Sequence, residues 1–441
     1  MMGSDVAGPS PLVLWSALFV GALTCSSAGV VFDELTSQGV PPFLAASWRL
    51  WCQSIILIIP FVLTYQEVKR NDAEIIKHWI TSSELTLAEN ELDEYMRLSA
   101  STGNLRNNVD DLALIIPRFY SALPLMICSG MFLGIHFSSW VYSVQTTSLA
   151  HSLTWVSMGP IIICWGQWIL YICRSLCCSI FGNVKRPSWK ETLGSIVGLS
   201  GAIMMLGDVA KFSSSPTAQA SLQHEPTMKG DLAAFVGAFA VSIYLVIGRN
   251  CRSWMPLWLY IFPVVVSSAL SSLILALFDS EQPTQWSGLS QTSVFGFLNV
   301  HYLPYAMYLG IGPGIAGHTV FNALLKYMSP LIISTAMLSE PLFGSVLGYI
   351  CGMQQIPGLW TLLGGIVLLV SLFFVSYNKE EEDERDSDQD NLLERTERQN
   401  EFSDKQMTAA VGDDSSGMMA TVFDKDDVPL KKETIHGYGT I

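Results

Sequence analysis

"PLIISTAMLSEPLFGSVLGYIC", residues 330–351, is the stretch on which the fold turns. The hydrocarbon core of a bilayer needs about 20 apolar residues per helical crossing, and this stretch has the length and the side chains for it. Yet Glu340 and Pro341 stand near its middle. A carboxyl and a residue without an amide N–H are both costly in lipid. Their presence predicts a span that faces a bundle interior rather than acyl chains.

Outward from it, nine more stretches of similar character follow one another: roughly 11–32, 43–64, 121–143, 149–172, 192–209, 231–248, 257–278, 303–325 and 359–377. The whole chain is 50% apolar and only 14% charged, with a mean hydropathy of +0.37. A soluble chain is rarely so poor in charge. Helices are the open-chain way to cross lipid with every peptide group bonded, and the alternating pattern of a membrane barrel is absent. The expected fold is an all-α integral membrane protein with ten transmembrane helices. The first stretch has no Lys or Arg before it and runs on into Asp33-Glu34, so it reads as an uncleaved span rather than a signal peptide. Nothing basic is arranged to follow nucleic acid. The nine cysteines form no Cys-x-x-Cys pair and no Cys/His cluster at zinc spacing, so no metal or other cofactor is expected.

Lys and Arg set the orientation. Residues such as Lys69, Arg70, Arg118, Arg174, Lys185, Arg186, Arg249, Arg252 and Lys326 fall in loops on one side, against only Lys211 and Lys229 on the other. Cytoplasmic loops carry that excess, which predicts both termini in the cytosol. The same side receives the 65–118 insertion, whose "AEIIKHWI" and "SELTLAENELDEYMRL" read as a membrane-surface helix or a solvated linker.

The two halves echo each other. Phe19-Val20-Gly21-Ala22 recurs as Phe235-Val236-Gly237-Ala238, and Gly134-Ile135-His136 as Ala316-Gly317-His318. Ser148, Thr154 and Pro160 stand at the spacing of Ser329, Thr335 and Pro341. Five spans per half is odd, so the second copy inserts inverted: two inverted five-helix repeats, a common plan of secondary transporters. The expected organisation is a cytosolic tail over 1–10, a first repeat over 11–209, a non-cytosolic linker over 210–229, a second repeat over 230–377 and an acidic cytosolic tail over 378–441.

"LGIGPGIAGHTVFNALLKYMSPLIISTAMLSEPLFGSVLGYI", followed by "LWTLLGGIVLLVSLFFV", resembles the second repeat of the EamA-type drug/metabolite transporter superfamily. "PPFLAASWRLW" and "GIHFSSWVYSVQTTSLAHSLTWVSMGP" are similar to parts of the first. The resemblance covers most of 11–376, and the insertion and tail suggest a eukaryotic member. It implies a transporter of a small metabolite or drug-like solute working by alternating access. The superfamily is broad in substrate, so the solute is left open.

Within that plan the costly residues are the site candidates. Glu340 could couple transport to protons or touch the solute, since a carboxyl away from water suits proton uptake and release; a helix-locking hydrogen bond is the plainer alternative. Arg49, about two turns into the second span, could meet an anionic group, pair with Glu340, or snorkel. His136, His318 and His151 titrate near neutrality, and Asn322, with Trp140, Tyr142, Trp155 and Phe321, could line a cavity. Pro160 and Pro341 are expected to kink two corresponding spans, and Gly312, Pro313 and Gly314 to weaken the helix beside them, together shaping a central site. Close helix packing is the alternative for the glycines.

Two other classes fit parts of the sequence. Gly198-Leu199-Ser200-Gly201 matches the Gly-x-Ser-Gly of intramembrane serine proteases, without the accompanying motifs; a transporter-shaped receptor or scaffold is the other. Neither displaces the carrier reading, and no enzyme is expected. In the tail, Asp388 with Leu392 and Leu393 resembles an acidic dileucine signal. Tyr438 with Ile441 resembles a terminal Gly-Tyr-x-x-hydrophobic signal. Clathrin adaptors read such peptides, so an endosomal or lysosomal membrane is the favoured address and the plasma membrane the second.

Overall fold

Pro, Ser and Thr punctuate the chain into helices at positions their chemistry dictates. Ser329 accepts a hydrogen bond from the Ile332 amide (3.3 Å) and is followed by Pro330, so a helix starts there. Ser188 and Glu191 form a reciprocal capping box: the Ser188 hydroxyl accepts from the Glu191 amide (3.1 Å), and the Glu191 carboxylate from the Ser188 amide (2.8 Å). The Asp72 carboxylate accepts from the amides of Ile115 and Ile116 and so anchors the start of another helix from 43 residues upstream of it.

The computed structural model describes residues 9–82, 114–147, 149–176, 187–213, 227–350 and 358–375. Among them there is no strand, only an isolated bridge between Gln285 and Ser293. The helices are α1 (Pro11–Ser26), α2 (Ala28–Ser37), α3 (Pro42–Ser82), α4 (Ile115–Thr146), α5 (Leu149–Val156), α6 (Gly159–Leu176), α7 (Trp189–Ser213), α8 (Met228–Arg252) and α9 (Leu257–Phe278). After a short 3-10 turn, Gly296–Leu298, come α10 (Leu303–Leu309), a π-helical segment (Gly310–Thr319), α11 (Val320–Leu324), α12 (Pro330–Met337), α13 (Glu340–Ile350) and α14 (Leu359–Val375). All of these lie in one compact unit within Met1–Lys379.

Six helical stretches among the described residues are long and apolar enough to cross a membrane: Pro11–Ser37, Pro42–Lys77, Ile115–Thr146, Ser152–Cys173, Met228–Arg252 and Leu257–Phe278. An all-helical membrane architecture follows, as the composition predicts. Large apolar side chains face outward at helical spacing, as Trp165, Ile169 and Ile172 do on α6. Small and hydroxyl-bearing residues face inward, the arrangement that lets helices associate when lipid is as apolar as leucine.

The expected proline kinks take a different form. α12 ends at Met337 and α13 begins at Glu340, so the span is broken rather than bent, and Pro341 is the second residue of the new helix. Pro160 likewise is the second residue of α6, after α5 ends at Val156. The physical reason is that proline is tolerated in a first turn, where its missing N–H would have had no partner. Serines at the two breaks fold back on the preceding helix: the Ser157 hydroxyl donates to the Leu153 carbonyl and that of Ser339 to the Ala336 carbonyl, each at 2.6 Å. "AEIIKHWI" is helical, as both readings of it expect. It continues α3 without interruption to Ser82, and "SELTLAENELDEYMRL" lies outside the described residues.

Packing crosses between the halves. α8 lies against α4, α5 and α6, whereas α1 lies against the π segment, α12 and α13. α9 packs on α4, and α3 on α10 and the π segment. α7 and α14 approach at backbone distance. A Cβ on Gly364 would sit 2.4 Å from the Gly201 carbonyl oxygen, and the Ser371 hydroxyl donates to the Gly194 carbonyl (2.8 Å). This contact also accounts for the protease-like Gly198–Gly201 run: Gly198 and Gly201 are the α14 interface. Ser200 bonds its hydroxyl to the Val197 carbonyl (2.7 Å).

Because backbone meets backbone at Gly364, no side chain can swing aside to admit a larger residue there. Gly364→Val is expected to lower the unfolding free energy by about 1–3 kcal/mol or more through overpacking, read as a fall in unfolding temperature of the purified protein in detergent. Gly166→Val, at a glycine with open space around it, is the matched control expected to leave it unchanged.

Candidate functional site

The two helix breaks face a partly open cavity of about 60 Å³. Its wall takes Cys25 and Ala28 from the first span, Arg49 from α3, and His136, Phe137 and Trp140 from α4. Leu153, Val156, Ser157, Gly159 and Pro160 come from the α5–α6 break, and Val241 from α8. His318 enters from the π segment, and Ser334, Met337, Leu338 and Glu340 from the α12–α13 break. A water needs roughly 10–15 Å³ of such space, so the cavity has room for on the order of four waters.

Arg49 is the costliest group in it. The side chain is 1% exposed and its guanidinium carbon lies 4.0 Å from the centre of the Phe137 ring. That cation–π contact compensates only part of the lost hydration. Among the described residues no hydrogen bond or salt bridge reaches the guanidinium, and Nε and Nη2 are fully enclosed without a partner. The pairing with Glu340 weighed from the sequence is therefore absent: the two charged groups share the cavity without a salt bridge. Glu340 is partly exposed and stands as the first residue of α13.

His136 and His318, matched in the sequence, meet around one ring. Phe137 touches His136 (centroids 5.1 Å) and takes His318 edge-on (4.8 Å). Their bonding differs. His136 Nδ1 lies 2.9 Å from the Gly237 carbonyl oxygen, which can only accept, so the proton of the neutral ring sits on Nδ1 and Nε2 is left as an acceptor. The His318 ring makes aromatic contacts with Phe137 and Phe321 instead.

Asn322 lies behind the wall rather than in it. Its Nδ2 donates to the His318 carbonyl (2.6 Å) and to the Tyr244 hydroxyl, and Arg252 Nε donates to the Asn322 carbonyl (2.9 Å). It holds the backbone that carries His318. Gly312, Pro313 and Gly314 also lie off the wall, in the π segment. Pro313 breaks the α-helical ladder, and the wider winding leaves carbonyls to satisfy. Gln53, one turn beyond Arg49 on α3, does so: its Nε2 donates to the Gly314 carbonyl (3.0 Å) and the Thr319 hydroxyl (3.2 Å), and the Thr319 hydroxyl bonds the same carbonyl (3.1 Å). Gly317 admits α1, since a Cβ there would lie 2.5 Å from Cys25 Sγ.

Of the aromatic candidates Trp140 lines the cavity, while Tyr142 stacks on Phe43, Trp155 meets Phe235, and Phe321 packs against α1 at Gly21. The side chain of His151 and the tail residues Asp388, Leu392, Leu393, Tyr438 and Ile441 lie outside the described residues. Sequence reasoning missed Phe137, Cys25 and Gln53. Gln53 had a legible signal, a second polar residue four positions after Arg49 and hence on the same helix face. Phe137 and Cys25 had none.

Residues 228–377 match the model of the EamA-like transporter family. No curated protein matches the chain. Among solved structures 19 chains match. One is a crystal structure of a protein 16% identical to this chain, aligned over 83% of this chain and 98% of its own, with a TM-score of 0.49.

Replacing Gln53 by Leu removes one of the two side-chain donors to the Gly314 carbonyl. The expected loss is about 1 kcal/mol of stability, with faster amide exchange concentrated in residues 310–319 when read by hydrogen–deuterium exchange mass spectrometry. An unchanged exchange pattern there would show that the π segment does not depend on α3.

Proposed function

We propose that this chain, whose residues 228–377 match the EamA-like transporter family, is a secondary transporter. It moves a small metabolite or drug-like solute across the membrane by alternating access between two inverted five-helix repeats. The observation that carries this reading is a cavity walled jointly by first-half and second-half helices, with a helix break from each half opening onto it. Broken helices at corresponding places in two halves are where such carriers hold their cargo.

The cross-packing supports the repeat. The first span leans on the eighth and ninth as the sixth leans on the third and fourth, and α9 on α4 mirrors α3 on the π segment. α7 against α14, the last helix of each half, completes the set. The cavity has room for a few waters and is partly open. Solute enters when one half rocks on the other and the broken spans part. The breaks make this possible because each half-helix is satisfied at its own end and can move without tearing a continuous ladder.

Glu340 is the coupling or solute-contacting group in this scheme. It is the carboxylate of the cavity wall, and no salt bridge ties it to Arg49. Both termini face the cytosol in the proposed orientation, and the tail carries adaptor signals that direct the protein to endosomal or lysosomal membranes.

Three measurements test these assignments. Purified protein in proteoliposomes should take up solutes from a small-metabolite panel, and a panel-wide absence of flux counts against transport. Glu340→Gln should lose the acceleration of uptake that a pH gradient gives the native protein; unchanged rate and pH dependence would remove the coupling role. Changing Leu392, Leu393 and Tyr438 to Ala should shift the protein to the cell surface, seen by surface biotinylation, and no redistribution would remove the sorting role.

A further inference from the structure

Arg49 has more donors than the protein uses. A guanidinium carries five N–H donors in a rigid fork, and among the described residues its enclosed Nε and Nη2 find no hydrogen-bond partner. The unpartnered Nε and Nη2 lie on the same edge of the fork, the edge whose parallel N–H bonds can take both oxygens of a carboxylate. Phe137 fixes the plane of the group from one face at 4.0 Å. Leaving a buried cation without a partner is strongly unfavourable, so the fold retains at Arg49 an interaction that something other than the protein completes.

We propose that Arg49 is the anion subsite of the central cavity and that the solute bound there is a short monocarboxylate. The proposal deepens the transporter reading and rests on it for the statement that the ligand is cargo. Three features of the wall select the class. The wall holds one cation and one carboxyl, so a monocarboxylate is accommodated beside Arg49 with Glu340 in its protonated form, whereas a phosphate dianion would bring two negative charges to a single cation. The volume, room for on the order of four waters, suits an acid of a few heavy atoms. Leu153, Val156, Val241 and Met337 supply an apolar wall for its alkyl end.

The probe is acetate. With the full chain in nanodiscs at constant ionic strength, acetate is expected to raise the unfolding temperature in a saturable manner, because a ligand that binds only the folded state stabilises it. Acetamide, the neutral analogue of similar shape, should not, and neither should inorganic phosphate. Arg49→Gln and Arg49→Met should abolish the acetate response while leaving the ligand-free unfolding temperature unchanged or higher, since each removes an unpaired buried charge. Arg49→Lys keeps the charge without the fork and should respond only at higher acetate.

An acetate shift no larger than that of acetamide, or one that persists in Arg49→Gln, overturns the subsite. So does stabilisation by phosphate in place of acetate, which would assign the site to another anion. If Gln, Met and Lys at position 49 all prevent folding, Arg49 is a structural group and the proposal falls. The two readings separate cleanly. Arg49-dependent stabilisation by acetate without flux of any solute keeps the subsite and removes the transporter. Flux with an acetate response that ignores Arg49 does the reverse.

Discussion

A cation held in a membrane-embedded bundle without a hydrogen-bond partner constrains everything around it. Removing a guanidinium from water costs several kcal/mol even after relaxation, and Arg49 recovers part of that only from the face of Phe137. The group is tolerable where it is because the helices around it leave a small cavity, with room for water, instead of closing on it. The helix breaks at Ser157–Met158 and Leu338–Ser339, the π winding of Gly310–Thr319 and the glycines that let α1 and α3 come close are the ways the chain makes that space. Each is a local departure from the straight helix, and each lies beside the cavity rather than at the lipid surface.

Those departures are mutually dependent. The π segment frees carbonyls, and Gln53 on α3 answers one of them. α3 can approach only because residues 310 and 314 are glycine. Arg49 stands one turn before Gln53 on the same face, so the contact that stabilises the π winding also sets the position of the guanidinium. Asn322 does the corresponding work from the other end, binding the His318 carbonyl and thereby the ring that meets Phe137 edge-on. The wall is thus aligned by groups that do not line it, the expected arrangement where a few polar side chains must hold one geometry.

Much of this was legible in the sequence. Apolar length and the scarcity of charge identify a helical membrane protein, because lipid leaves a spanning backbone few options. Arg49, His136, His318, Glu340 and Pro160 could be singled out on cost alone, and they line one cavity. Less legible was what neighbours do. The prolines read as kinks because their effect on a continuous helix is well defined; that each would start a new helix depended on serines and packing on both sides of the break. The Gly-rich run read as a weakened helix, whereas its register against α3 and α1 turns it into a wider but fully wound segment. Phe137 was invisible because an aromatic residue in an apolar span carries no mark of the cation above it.

The proposed repeat relation gives the charge pattern a further meaning. Aligning Pro160 with Pro341 puts Gly159 opposite Glu340, and both residues line the cavity. The half-turn that relates the repeats therefore carries the carboxylate of one half onto a residue with no side chain in the other. Two carboxylates in so small a space would repel each other strongly, since Coulomb interaction grows as water is excluded. A glycine at position 159 avoids that repulsion, and its backbone carbonyl accepts from the Ser242 hydroxyl (3.3 Å). Arg49 likewise comes from the first half alone. Duplication supplies the pair of broken spans and the cavity between them, while the chemistry within it comes from what the halves do not share. Under the proposed function, a carrier built this way would have two mouths related by its symmetry and one charged site that belongs to neither, as a cargo site reached in turn from both sides requires.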